Sequence, residues 1–154
     1  MVARGALADI ADECMSRDQE SAGYLVGPRS FSWHVPRVER AGAAAYGHRS
    51  TAVYLDRDEI ERVMRLLDRE DSGRVICGSW HSHPAGGTRG PSPADLQTWA
   101  VSFTRLERAY GASRSIDLIA WLPDPGRSCC SSLGAWITSR ADRRIISSPA
   151  TIAR

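Results

Sequence analysis

Residues 78–84 read Gly-Ser-Trp-His-Ser-His-Pro, and after seven more residues come Ser92-Pro93-Ala94-Asp95; this stretch decides how the chain is read. Arg74 to His81 has the apolar, β-branched character of a buried strand, and Pro84 ends it. Side chains two apart on a strand share a face, so the imidazoles of His81 and His83 project together. That spacing suits two nitrogen ligands on one small cation. The second segment has the grammar of a helix start, with Ser92 as N-cap, Pro93 as the first helical residue and Asp95 two residues further in. A helix that begins just past the strand can aim Asp95 back at the imidazoles. Two histidines and one aspartate leave the fourth position of a tetrahedral zinc open, which marks a catalytic rather than a structural site. Water at that position has its pKa lowered toward neutrality, giving a hydroxide nucleophile.

Such a site needs a base. Glu20 opens a short strand, Glu20 to Gly27, that ends at Gly27-Pro28. A carboxylate hydrogen-bonded to the attacking water can take its proton and pass it to the leaving amine. Glu13 is a distant substitute, because it lies on a helix with no glycine-bounded strand after it. Ser92 can donate to the developing oxyanion, although a hydroxyl committed to capping is expected to serve one role or the other.

Working outward, Leu7, Ile10 and Cys14 at helical spacing predict a first helix over Ala3 to Ser16. Phe31 to Val38 and Thr51 to Leu55 read as further strands, with Pro36 demoting the end of the former. Asp56 to Leu67 is an amphipathic helix with Ile60, Val63, Met64 and Leu67 on its apolar face. A helix from Ser92 to about Tyr110 follows the glycine-rich loop Ala85 to Pro91. Ser115 to Leu122, Leu133 to Thr138 and a short segment near Arg144 to Ile146 read as strands, with a loose tail from about 147. Helices alternate with strands, so the chain is expected to be one α/β domain over residues 1–154, a mixed sheet flanked by helices.

Glu20 with Gly23-Tyr24-Leu25-Val26-Gly27, then His-Ser-His-Pro, seven residues and Ser-x-x-Asp, resembles the signature of the JAMM (MPN+) metalloproteases. The resemblance runs from Glu20 to about Trp99. It implies a curved mixed sheet of cytidine-deaminase-like type, one zinc ion on His81, His83 and Asp95, Glu20 as general base and Ser92 stabilising the oxyanion. Gly78 to Pro84 with Asp95-Leu96-Gln97-Thr98-Trp99 is most similar to the stand-alone bacterial JAB peptidases, some of which accompany ubiquitin-like conjugation modules in anti-phage CBASS operons. The implied activity is cleavage after the C-terminal glycine of a ubiquitin-like protein, whose tail adds as a strand beside the metal. A hydrolase acting on a sulfur-carrier protein in cysteine or cofactor biosynthesis would use the same residues. A non-catalytic MPN scaffold is the reading from a different class, and scaffolds of this family typically lack the ligands.

Composition bounds the alternatives. The chain has 154 residues, 42% of them hydrophobic and 25% charged, which is ordinary for a globular domain. A net charge of +2 gives no argument for a nucleic-acid partner. No apolar stretch is long enough to cross a bilayer, and Met1 to Ile10 is too short and polar for a signal-peptide core, so a cytoplasmic protein is expected. All 20 Lys-plus-Arg residues are arginine. Codon bias explains this blandly; the sharper explanation is loss of conjugation sites in a protein that works on lysine-linked conjugates. The four cysteines form no Cys-x-x-Cys pair and are expected to be free thiols, the Cys129-Cys130 pair included. His34 and His48 have no partner at ligand spacing, Trp80 and Trp99 are explained by core packing, and Arg140, Arg143 and Arg144 by a solvated face.

Overall fold

The computed structural model describes residues 2–15, 20–29, 38–43, 46–49, 52–55, 57–70, 73–83, 90–121 and 132–151. The elements in chain order are α1 (Arg4–Met15), β1 (Ala22–Pro28), β2 (Arg40–Ala43), β3 (Tyr46–Arg49), β4 (Ala52–Leu55), α2 (Arg57–Arg69), β5 (Arg74–His83), α3 (Pro93–Tyr110), β6 (Arg114–Trp121), β7 (Ser132–Ala141) and β8 (Arg144–Ala150). Six strands form one sheet in the order β2-β1-β5-β6-β7-β8, and β3 with β4 forms a separate hairpin. Among the described residues, only the β5–β6 pair of the large sheet is parallel. Its connection runs through α3, as a parallel pair requires a crossover. The sheet is mixed and flanked by helices, as the alternation of elements predicts.

The two faces of β5 differ. Val75, Cys77 and Trp80 join Ile10, Cys14, Leu25, Ile116, Leu118 and Ala120 in the main apolar core, under α1. Ile76 faces the other way, into a cluster with Val63 of α2 and Leu106 of α3. The pairing of β1 with β5 jumps from Leu25↔Gly78 to Val26↔Ile76, leaving Cys77 as an extra residue. This bulge shifts the alternation by one. Trp80 thereby stays on the α1 side, and Ser79, His81 and His83 are on the α3 side.

Trp80 shows how tightly the core side is fitted. Its indole Nε1 donates to the Gly42 carbonyl at 3.1 Å, reaching across β1 to β2. The ring passes over Gly23, where a Cβ would overlap both the Gly42 carbonyl and the indole nitrogen. Gly23 is therefore required by close approach, not by its backbone angles.

Several boundaries move. β5 runs to His83, two residues beyond the expected end, because its pairing with β6 continues to His83↔Trp121. β8 continues to Ala150, so residues 147–150 form an edge strand paired with β7 and not a loose tail. β2 and β3 are additions: Arg-Ala-Gly-Ala and Tyr-Gly-His-Arg have weak strand propensity and are held by pairing with β1 and β4. The strand expected over Phe31 to Val38 lies outside the described residues, except for Val38, which bridges Val2. The loop Ala85 to Pro91 is described only from Gly90, and Pro84, His34, Cys129 and Cys130 also lie outside the described residues. Cys14 and Cys77 are buried free thiols, and burial pushes the Cys77 thiol up to about 12.

Candidate metal centre

The histidines sit at the C-terminal end of β5, fixed on one side by β1 (Ala22↔His81) and on the other by β6 (His81↔Ile119, His83↔Trp121). Their Nε2 atoms are 3.0 Å apart. Asp95 arrives from α3. Ser92 caps this helix: Asp95 N–H donates to Ser92 Oγ at 3.2 Å, and Ser92 N–H donates to Asp95 Oδ2 at 2.6 Å. This reciprocal box locks the aspartate rotamer. It commits Oδ2 to the cap and leaves Oδ1 facing His81 Nε2 at 3.2 Å, with His83 Nε2 3.5 Å from Oδ2. The cap thus leaves Oδ1 available for another partner.

His81, His83 and Asp95 form a group able to hold a metal ion, one donor atom from each. Tetrahedral bonds of about 2.0–2.1 Å separate neighbouring donors by about 3.3 Å, and the 3.0 Å between the two Nε2 atoms and the 3.2 Å from His81 Nε2 to Asp95 Oδ1 match. The set of two imidazoles and one carboxylate suits zinc and similar divalent ions. The three side chains keep 17%, 13% and 17% of their surface exposed, so the group is open on one side. Burial raises the pKa of Asp95, but hydrogen bonds from His81, His83 and the Ser92 N–H outweigh it and hold the carboxylate well below its usual range. It is charged at any physiological pH.

Glu20 precedes β1 by two residues and is half-buried. Past Ala22↔His81 the antiparallel register brings Ser21 to Ser82, where Ser82 N–H donates to the Ser21 carbonyl at 2.7 Å. Glu20 is the next residue toward the N-terminus, just outside the paired strand. Among the described residues no ion pair or hydrogen bond engages its carboxylate. Ser92 corrects the either-or expectation for its hydroxyl. In the cap the oxygen accepts, which leaves the O–H free to donate elsewhere.

An aromatic wall borders the group. The Trp99 ring lies 6.3 Å from that of His81 and the Trp121 ring 6.4 Å from that of His83, and Trp136 packs against both tryptophans. Trp80 and Trp99 are both core residues, each 1% exposed. Asp117 belongs to no motif in the sequence. It is buried on β6 and accepts from Ser79 Oγ at 2.7 Å and Thr138 Oγ1 at 3.1 Å. Burial pushes its carboxyl up to about 6 against those hydrogen bonds. The available signal was an acidic residue inside the apolar run Ser115-Ile116-Asp117-Leu118-Ile119. Arg140 pairs with Glu107 at an exposed position, and Arg143 and Arg144 are exposed, in keeping with a solvated face.

The sequence model of the prokaryotic homologs of the JAB domain matches residues 4–128, most of the chain and all of the site. The chain belongs to this family. No curated protein matches it. This JAB-domain chain is similar in fold to a protein from Salinibacter ruber known from a solution structure. The two share 18% identity with a TM-score of 0.60, over 99% of this chain and 90% of that one. No helix of the JAB-domain chain is long and apolar enough to cross a membrane, among the described residues.

Proposed function

We propose that this JAB-domain protein is a zinc-dependent peptidase that cleaves after the C-terminal glycine of a ubiquitin-like protein, in deconjugation or precursor processing. The observation that supports this most is that His81, His83 and Asp95 bring one donor atom each within 4.8 Å of one another at a partly exposed site. A scaffold has no need of a complete ligand set.

Zinc held by these three residues supplies Lewis acidity, polarising the scissile carbonyl and lowering the pKa of water. The chain supplies the rest. Glu20 accepts a proton from the attacking water, and the water oxygen bonds to the glycine carbonyl carbon. Ser92 O–H donates to the oxygen on which negative charge develops. Glu20 then returns the proton to the nitrogen of the leaving amine as the C–N bond breaks. Trp99, Trp121 and Trp136 keep one flank of the site apolar, which strengthens these charge interactions.

Incubation of the zinc-loaded protein with a ubiquitin-like protein carrying a C-terminal extension, read by intact-mass spectrometry, tests the proposal. Release of the extension after the terminal glycine, abolished by a chelator and by Glu20→Gln, is the expected result. Removal of only a small adduct from a sulfur-carrier protein would move the activity to biosynthetic hydrolysis. No cleavage of either class by protein that retains zinc would favour a scaffold.

A further inference from the structure

We propose that Ser82, the residue between the two histidines, is a positioning residue that latches the Glu20 segment to the metal-binding strand. This rests on the reading of Glu20 as the base. Ser82 is fully buried and points away from the imidazoles, on the opposite face of β5. Its N–H donates to the Ser21 carbonyl at 2.7 Å, and its Oγ accepts from the Ser21 N–H at 2.7 Å. In a regular antiparallel pair that N–H would go to the main-chain carbonyl of the facing residue. Here the side-chain hydroxyl takes it. One residue thus satisfies both main-chain groups of Ser21, the neighbour of Glu20.

Ser21 contributes nothing to this hold through its own side chain. Its hydroxyl is buried and unpartnered among the described residues. The attachment of the segment is therefore main chain to Ser82. The histidines have separate supports: β5 is paired with β6 through His83↔Trp121, and Asp95 is fixed by its own cap. Loss of the Ser82 hydroxyl would strand the buried Ser21 N–H, loosening Glu20 while leaving the metal ligands in place. Ser82 acts through Glu20 and touches no reacting atom.

The test compares Ser82→Ala, Ser82→Thr and Ser21→Ala, the first also on a Glu20→Gln background, by Ser21 amide hydrogen exchange, zinc content, kcat and KM. In S82A the amide at position 21 is expected to exchange about tenfold faster and kcat to fall about tenfold, the equivalent of one lost hydrogen bond, with zinc content and KM unchanged. S82T keeps the acceptor and restores both, and S21A keeps the amide protected. On the E20Q background S82A costs no further turnover. If S82A does not fold, Ser82→Cys, a weak acceptor of similar size, replaces it with the same expected exchange. Full amide protection in S82A, a kcat loss that persists undiminished on E20Q, or failure of S82T to rescue would overturn the latch. Absence of turnover in the parent protein would remove the peptidase reading instead, and amide exchange would still decide whether Ser82 holds the segment.

Discussion

The two faces of β5 are made from one run of ten residues and obey different rules. Toward α1, Val75, Cys77 and Trp80 are chosen for volume, and what matters is how closely neighbours approach. Toward α3, Ser79, His81 and His83 are chosen for their polar atoms, and what matters is which partner each atom meets. The bulge at Cys77 sets the face of every residue after it. Apart from Ser82, whose hydroxyl acts through the Glu20 segment, a substitution on the core face is therefore expected to cost stability and spare chemistry. On the site face the reverse is expected.

The largest effect is expected from Glu20→Gln. Removing the proposed base while keeping the shape should lower turnover by about 10²–10⁴-fold, with the unfolding midpoint unchanged. Stopped assays and urea titration on the same preparation would check this, and a parallel loss of stability would blur the two faces.

Next comes Gly23→Ala on the core side. Its Cβ would overlap the Gly42 carbonyl and the Trp80 indole, so a cost of about 1–3 kcal/mol is expected from overpacking. Urea unfolding measures it. The folded fraction should bind metal with the stoichiometry of the parent, since Trp80 points away from the ligands.

Asp117 sharpens the comparison, because it is a charge buried on the site side with no ligand role. Its carboxyl is pushed up to about 6 in the folded state, above the unfolded value of about 4. A raised folded pKa means the folded chain binds more protons in that window. The resulting stability is fully present below about pH 4 and is lost as pH rises through about 6. Asp117→Asn should remove this loss, because its amide oxygen can still accept from Ser79 and its nitrogen can donate to Thr138. At pH 7 the variant is expected to match the parent or exceed it by roughly 1 kcal/mol, with a flatter profile between about pH 4 and 6. A variant that is less stable than the parent at pH 7 would show that the charge itself holds the network.

The candidate metal-binding group was legible in the sequence because its geometry is local. The strand period aligns His81 with His83, and the Ser92-to-Asp95 cap orients the aspartate within one helical turn. Glu20 was legible as a residue and not as a place, since its position depends on β1 pairing with a strand some sixty residues on. Asp117 escaped notice for the same reason: Ser79 and Thr138, its partners, come from two other strands. The bulge at Cys77 and strands β2 and β3 carry no strong local signal; tertiary pairing decides them. The extension of β8 to Ala150 is likewise a gift of its pairing with β7.

The most direct test of the metal centre is zinc stoichiometry by elemental analysis of the purified parent, Asp95→Ala and Glu20→Gln proteins after loading and dialysis. The expected result is one zinc per chain in the parent and in Glu20→Gln, and none retained in Asp95→Ala, which keeps its fold by circular dichroism. Zinc retained at full stoichiometry by Asp95→Ala, or absent from the parent, would contradict the assignment of His81, His83 and Asp95 as the ligands.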